Sequence, residues 1–148
     1  MLPDLIVESI LVSPPIPKAG DTIGSIVVTI KNQGNGLAIS NITAISCSGK
    51  NCFPINCPSC LHFTLEKSTP GIGWTYTWMV TSLPPGSSME FTFNPAPTLS
   101  VKSSSQGKWQ GDQYIFACTA DRDKTVTESN EENNSKKVVI KVLGKWPG

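Results

Sequence analysis

Short segments in which every second side chain is apolar recur along this chain, and they constrain its fold more than any other feature. The clearest one runs from residue 114 to residue 120. Successive side chains of a strand point to opposite faces, so the aromatic row of this segment can line a core. That row consists of Tyr114, Phe116, Cys118 and Ala120. No segment keeps apolar residues at helical spacing over three turns, and we therefore expect an all-β fold.

Seven segments of this kind predict strands. They are residues 5–12, 22–31, 37–46, 74–80, 88–93, 114–120 and 137–143. Prolines between residues 14 and 17 end the first segment, and the run Asn32–Gly36 is a strong turn signal after the second. Seven short antiparallel strands with such turns are typical of an immunoglobulin-like β-sandwich. The 148 residues are most simply one domain, residues 1–148, with a cysteine-rich insert at about residues 44–77.

A polar hairpin follows the segment at residues 114–120. Its oxygen-bearing side chains include Asp121, Asp123, Glu128, Asn130 and Glu131. These side chains could converge on Ca²⁺, which takes six to eight oxygen ligands, although their spacing differs from that of an EF-hand loop. Alternatively, they accept hydrogen bonds from backbone amides and fix the turn. Calcium is therefore the one cofactor that the hairpin suggests, and capping of the backbone is the simpler interpretation.

The hairpin also carries a family resemblance. It is similar to the C-terminal signature of the CARDB family, the cell-adhesion-related domain of bacteria and archaea, through Asp121, Val126, Glu128–Glu131 and Asn133–Asn134. Other matching segments are Pro3–Val7, Gly20–Asp21, Ile26–Asn35, Leu83–Ser87 and Phe91–Phe93. The resemblance covers most of the chain in the right order and departs from the family pattern at residues 44–77 and 94–108. It implies an immunoglobulin-like module that acts in adhesion or spaces other domains, and it implies no metal.

Cysteines supply the most distinctive side-chain chemistry. Four of the five lie close together, namely Cys47, Cys52, Cys57 and Cys60. In the first interpretation they form two disulfides that staple the insert, with the pairing open, and Cys118 is a buried free thiol. In a variant, Cys118 bridges to the insert and leaves one insert thiol free. Zinc and iron–sulfur sites are weaker alternatives, because the cluster has only one Cys-x-x-Cys pair and matches a ferredoxin in spacing alone.

Two of the four tryptophans are candidates for contact with a ligand. Trp109 lies in a glycine-rich loop and Trp146 lies near the end of the sequence. Trp74 and Trp78 share an alternating row, for which core packing is the simpler interpretation. Because sugar rings stack on exposed indoles, an exposed Trp109 beside polar side chains would favour carbohydrate binding.

Charge and absent motifs exclude several functions. With 12 basic and 11 acidic side chains, the formal charge is +1, which gives no electrostatic reason to bind nucleic acid or an anionic membrane. No apolar run is long enough for direct insertion into a membrane. His62 is the only histidine, and the sequence contains neither a nucleophile elbow nor a phosphate-binding loop. We therefore expect no catalytic residues and no enzymatic activity.

The remaining hypothesis is a non-catalytic extracellular or cell-surface module for adhesion or structure. It would present loops and sheet edges to neighbouring domains, to other subunits or to copies of itself. The cysteines favour an oxidising compartment, and Met1–Asp4 lack the features of a signal peptide, so we expect the sequence to begin inside a longer protein. The rival hypothesis is a carbohydrate- or calcium-binding accessory domain of a larger secreted protein.

Overall fold

A computed structural model describes residues 1–13, 22–23, 25–48, 63–69, 73–93, 99–100 and 113–141. Within these ranges every regular element is a strand. The strands are β1 (Leu5–Ser13), β2 (Thr22–Ile23), β3 (Ser25–Asn32), β4 (Asn41–Ser48), β5 (Thr64–Thr69), β6 (Gly73–Val80), β7 (Ser88–Phe93), β8 (Leu99–Ser100), β9 (Gln113–Thr119) and β10 (Ser135–Lys141). The part of the chain that is described contains no helix with the length and hydropathy of a membrane span.

The strands form two main antiparallel sheets. One sheet has three strands in the order β1-β3-β7, and the other has five in the order β10-β9-β4-β6-β5. The short strands β2 and β8 pair separately. A register shift between Val7 and Ser9 interrupts the pairing of β1 with β3. This bulge keeps both Val7 and Ile10 on the inner face, because it adds one residue to the alternation.

The inner faces of the two sheets meet in an apolar core. The three-stranded sheet contributes the inward rows Leu5, Val7, Ile10 and Val12 from β1 and Ile26, Val28 and Ile30 from β3. The five-stranded sheet contributes Ile45, Cys47, Trp74, Tyr76, Trp78, Val80, Phe116, Cys118 and Ile140. Trp78 contacts Phe91 of the opposite sheet at a ring-centroid distance of 5.5 Å. Burial of each large aromatic or aliphatic side chain stabilises the sandwich by about 2–3 kcal/mol.

The prediction of seven strands is wrong. The described residues form eight strands of six or more residues, and two further strands have two residues each. The unpredicted long strand is β5, whose sequence Thr64–Thr69 lacks apolar alternation. It lies at the edge of the five-stranded sheet, and an edge strand with a solvated side gives a weak hydrophobic signal.

The predicted insert at residues 44–77 also needs correction. Parts of β4 and β6 and all of β5 lie within that range and belong to the five-stranded sheet. Only residues 49–62 and 70–72 of it lie outside the described residues. The cysteine spacing suggests an insert in this region. Residues 73–80, however, alternate half-buried or exposed side chains with buried ones and form β6 within the five-stranded sheet. The third strand begins at Asn41 rather than residue 37, because Ala38 makes only an isolated bridge to Leu83.

Candidate functional site

Two regions far apart in the sequence meet at one end of the sandwich. One is the N-terminal segment, residues 3–5, where β1 begins, and the other is the polar hairpin between β9 and β10. Main-chain and side-chain hydrogen bonds join them. We call residues 3–5 together with Glu128, Ser129, Asn133 and Asn134 the terminal latch. It ties the three-stranded sheet to the five-stranded sheet.

Asp121 fixes the first turn of the hairpin. Its side chain is buried, and its backbone has a left-handed φ of 48°. The carboxylate accepts hydrogen bonds from the amides of Thr125 at 2.9 Å and Val126 at 3.1 Å. Short acidic side chains tolerate this backbone conformation and bond nearby amides. Asp121 thereby turns the chain so that Val126 enters the core and the following residues reach the latch.

Glu128 and Asn134 form the buried centre of the latch. Oε1 of Glu128 accepts a hydrogen bond from the Leu5 amide at 2.6 Å. Nδ2 of Asn134 donates to the Glu128 oxygens at 2.8 and 3.1 Å, and also to the Leu5 carbonyl at 3.1 Å. This pair of side chains therefore satisfies both main-chain polar groups of Leu5. Buried main-chain groups without such partners would cost about 1–3 kcal/mol each.

Two further hydrogen bonds flank this centre. Asn133 Nδ2 donates to Asp4 Oδ1 at 2.9 Å, and the Ser129 amide donates to the Pro3 carbonyl at 3.0 Å. A carboxylate acceptor makes the first of these bonds stronger than a neutral pair. Three consecutive residues of the N-terminal segment are thus held by the hairpin.

Asn32, at the end of β3, holds the same segment from the other side. It is fully buried, and its Oδ1 accepts a hydrogen bond from the Asp4 amide at 3.0 Å. Its Nδ2 donates to the carbonyls of Gly36 at 2.8 Å and Leu83 at 2.9 Å. The turn after β3 is therefore connected to the N-terminal segment and to the loop before β7.

Gly34 lies where this turn passes the N-terminal segment most closely. A Cβ on Gly34 would lie 2.5 Å from the Asp4 nitrogen and 2.7 Å from the Leu2 carbonyl oxygen. Both are backbone atoms, which cannot move aside without shifting the strand. A residue without a side chain is needed because of this close approach.

Burial gives the latch an unusual carboxyl group. Desolvation is the main cause that raises the pKa of Glu128, from 4.5 to about 7. The Leu5 amide and the Asn134 side chain lower this pKa, whereas Glu131 raises it by its hydrogen bond and its negative charge. The folded chain therefore binds a proton at Glu128 more tightly than an exposed glutamate would.

The structure brings together part of the predicted calcium set. Carboxylate oxygens of Asp121, Glu128 and Glu131 lie within 4.8 Å of one another. Asp121 and Glu128 are buried and Glu131 is exposed. Asp121 accepts hydrogen bonds from amides of its own turn, as the capping interpretation expects, whereas Glu128 accepts one from the distant Leu5 amide. Carboxylate oxygens retain further lone pairs beyond these bonds. Three carboxylates can supply part of the oxygen shell that Ca²⁺ requires.

Asp123, another predicted calcium ligand, lies outside this cluster. Asp123 accepts a hydrogen bond from Arg122 Nε at 3.0 Å and is exposed. Asn130 accepts a hydrogen bond from the Glu132 amide at 2.9 Å. Both side chains have local roles in the hairpin. Alternating acidic residues in the sequence therefore do not all face one point.

The cysteines are described only in part. Cys47 is a buried residue of β4 and is disulfide-bonded. Cys118 is a free thiol on the inner face of β9, and burial raises its pKa to about 12. Cys52, Cys57 and Cys60 lie outside the described residues, so the predicted pairing within the insert stays a prediction.

The predicted ligand contacts at Trp109 and Trp146 also lie outside the described residues. The other two tryptophans are in the core. Trp74 is 1% exposed and Trp78 is 3% exposed. They pack edge-on against Tyr76 and Phe63, respectively. The indole rings that the structure describes therefore stabilise the sandwich and present no surface to a sugar.

Asp4, Asn32 and Asn134 make long-range hydrogen bonds that the sequence did not predict. Asp4 and Asn134 stand out in the sequence only within segments that resemble the family, and Asn32 also within a predicted turn. Each has a partner more than twenty residues away, or several such partners. Spacing along the chain carries no information on such contacts. The available signal was that these residues fall in the segments that resemble the family at opposite ends of the chain.

Comparisons with known proteins agree on the fold. The family model CARDB matches residues 2–138, which confirms the resemblance. No curated protein gives a significant match. Among solved structures, the CARDB domain of a Pyrococcus furiosus protein, crystallised in complex with di-metal ions, has a TM-score of 0.58 and 22% identity. That match covers 96% of this chain and 90% of the other.

A second solved structure gives a similar result. It is a domain of a Methanosarcina acetivorans protein whose name describes it as a cell surface protein, with a TM-score of 0.54 and 23% identity. The match covers 97% of this chain and 94% of the other. At these identities the likeness concerns the fold, whereas the family model covers nearly the whole sequence. The chain therefore belongs to the CARDB family of non-catalytic modules.

Proposed function

We propose that this chain is a structural and adhesive module of a larger protein exposed at a cell surface or secreted. Its task is to hold loops and sheet edges in fixed positions toward neighbouring domains or other copies. The family membership supports a non-catalytic role, and the cell-surface name of a structural relative is consistent with the location.

The terminal latch is the observation that carries this proposal. A module within a larger surface protein is pulled through its two ends, and the segments nearest those ends are the first to fray. Here the entry into β1 is bonded to the hairpin before β10 through Leu5, Glu128 and Asn134. These bonds would have to break before β1 could separate from the sandwich. The arrangement suits a spacer that keeps its shape under load.

Force spectroscopy tests the proposal directly. The chain is placed between reference modules in one polypeptide and pulled through its ends. We expect a single cooperative unfolding step, a lower rupture force for Asn134→Ala, and an unchanged force for the exposed control Asn130→Ala. Separation of β1 in an early step at low force, or equal forces for both variants, would contradict the proposal.

A second candidate function is calcium binding by the hairpin. The cluster of Asp121, Glu128 and Glu131 favours it, since three carboxylates lie within 4.8 Å of one another. A divalent cation there would offset their mutual repulsion and hold Glu128 in its ionised form. The structural relative that was crystallised with di-metal ions makes metal binding worth testing here.

Calorimetric titration with CaCl₂ separates this candidate from the purely structural role. If the cluster binds Ca²⁺, we expect Glu131→Gln to weaken binding at least about tenfold, because it removes one anionic ligand. Asp123→Asn removes the same charge outside the cluster and should leave the affinity unchanged. Absence of binding heat together with an unchanged Tm in calcium would exclude this function.

A further inference from the structure

The two main sheets have four edges within the described residues, and two of them, β1 and β5, carry features that oppose pairing with another strand. β1 has the bulge between Val7 and Ser9. Its exposed Glu8 carries a charge, and Oε2 of Glu8 lies 3.6 Å from Nζ of Lys31. β5 has a register shift after Leu65 and an ion pair between Glu66 and Arg122. Bulges and charges of this kind protect an edge from unwanted strand addition.

Within the described residues, β7 has neither a register shift nor an ion pair. It pairs with β3 from Ile26 to Lys31 without any register shift, and no described strand pairs with its other side. Met89 and Phe91 face inward and are half-buried. A regular strand with open backbone groups on one side can accept a further strand through main-chain hydrogen bonds.

An apolar cleft of about 450 Å³ adjoins this edge. Phe63, Met79, Met89 and Phe91 are among its walls, and Glu90 contributes a carboxylate. Methionine side chains adapt their shape to a partner more readily than branched ones. The cleft can therefore receive an apolar side chain of an added strand, with a cationic group of that strand beside Glu90.

Charge indicates which strand would fit. Within β7 the charged residue is Glu90, which is exposed. The fourth edge, β10, has the sequence Ser135–Lys141, which contains lysines and no acid. Its Lys136 and Lys137 are exposed, and its apolar Val139 is 44% exposed. Pairing of β10 with β10 would oppose lysines, whereas pairing of β10 with β7 opposes opposite charges.

We propose that β7 of one copy pairs with β10 of a second copy, with Glu90 opposite the lysines and an apolar side chain of β10 in the cleft. Each copy keeps one free β7 and one free β10, so this head-to-tail contact extends into a chain of copies. The inference rests on the proposed function as an adhesive module and names its partner as a second copy of itself.

Charge reversal tests this contact through sedimentation velocity at rising protein concentration. We expect reversible self-association of the wild-type chain that weakens with salt, since the contact is partly electrostatic. Glu90→Lys and Lys137→Glu should each weaken association about tenfold or more, because each places like charges opposite one another. The double variant restores opposite charges and should associate within about threefold of wild type.

Two matched controls change the same net charge elsewhere. Glu132→Lys and Lys124→Glu alter exposed side chains of the hairpin and should leave association unchanged. A wild-type chain that stays monomeric, controls that weaken association equally, or a double variant without rescue would overturn the inference. A monomer that still unfolds cooperatively under force would overturn it while leaving the proposed function intact.

Discussion

Glu128 illustrates how one buried residue can serve two distant segments. Its carboxylate accepts hydrogen bonds from the Leu5 amide and the Asn134 side chain, and only 6% of the residue is exposed. A glutamate is rarely buried to this degree without such partners. Removing one partner leaves the other groups buried and unsatisfied, which costs more than the net gain from forming the bond.

Replacement of Asn134 should weaken the latch. Asn134→Ala removes the donor to Glu128 and to the Leu5 carbonyl, and we expect the free energy of unfolding to fall by about 2 kcal/mol. Asn130→Ala removes one exposed bond within the hairpin and should change it by less than about 0.5 kcal/mol. Urea denaturation of both variants measures the difference. Equal losses would mean that the latch contributes nothing specific.

Stability should depend on pH through Glu128. Its pKa is about 7 in the folded chain and 4.5 at its ordinary value, so between these values the folded chain binds more protons. Stability from this group therefore falls as the pH rises from about 4.5 to about 7. We expect about 1–3 kcal/mol more stability at about pH 5 than at about pH 8. Glu128→Gln should lack this dependence, and identical pH profiles of variant and wild type would contradict the assignment.

The free thiol of Cys118 should be unreactive in the folded chain. Burial raises its pKa to about 12, and the thiolate is the form that attacks alkylating reagents. We expect iodoacetamide to label Cys118 more than about a hundredfold more slowly than glutathione in the same solution. Labelling should reach the glutathione rate only after unfolding. Rapid labelling of the native chain would show that the inner face of β9 opens to solvent.

At the scale of elements, the turn after β3 depends on a close approach between backbones. Gly34 passes the N-terminal segment with no space for a Cβ, whereas Gly86 has open surroundings and a positive φ of 76°. The two glycines are thus required for different reasons, steric at the first position and conformational at the second. Both reasons can be separated by substitution.

Gly34→Ala should shift the N-terminal segment and lower the free energy of unfolding by about 1–3 kcal/mol. Gly86→Asn, at a position where asparagine tolerates positive φ, should cost less than about 1 kcal/mol. Thermal unfolding of both variants measures the two effects. A larger loss for Gly86→Asn would contradict the role given to the close approach.

The sequence predicted some strands correctly and missed another, and both outcomes have a physical reason. The inner rows of β3, β6 and β9 were predicted because each has one buried face, and burial imposes alternation. β5 was missed because an edge strand rich in Thr, Glu and Lys imposes no such pattern. The hairpin was predicted to contain capping carboxylates, and Asp121 caps through neighbours in the sequence. Glu128 instead accepts a hydrogen bond from the Leu5 amide. Leu5 lies near the other end of the sequence, so the spacing of residues could not predict this contact.

At the scale of the whole molecule, the latch connects the two sheets where the core ends. The two inner faces supply most of the burial, but an apolar core alone does not prevent the first strand from fraying. The N-terminal segment is bonded on one side to Asn32 of the three-stranded sheet and on the other to the hairpin of the five-stranded sheet. We therefore expect β1 to open only when the sandwich unfolds as a whole.

Native-state hydrogen exchange of the Leu5 amide tests this expectation most directly. This amide donates to Glu128, although it lies only a few residues from the start of the sequence. If the latch holds, its free energy of opening should equal that of the slowest core amides and should fall in Asn134→Ala. An amide that exchanges as fast as those of a frayed terminus would show that β1 opens independently of the rest of the sandwich.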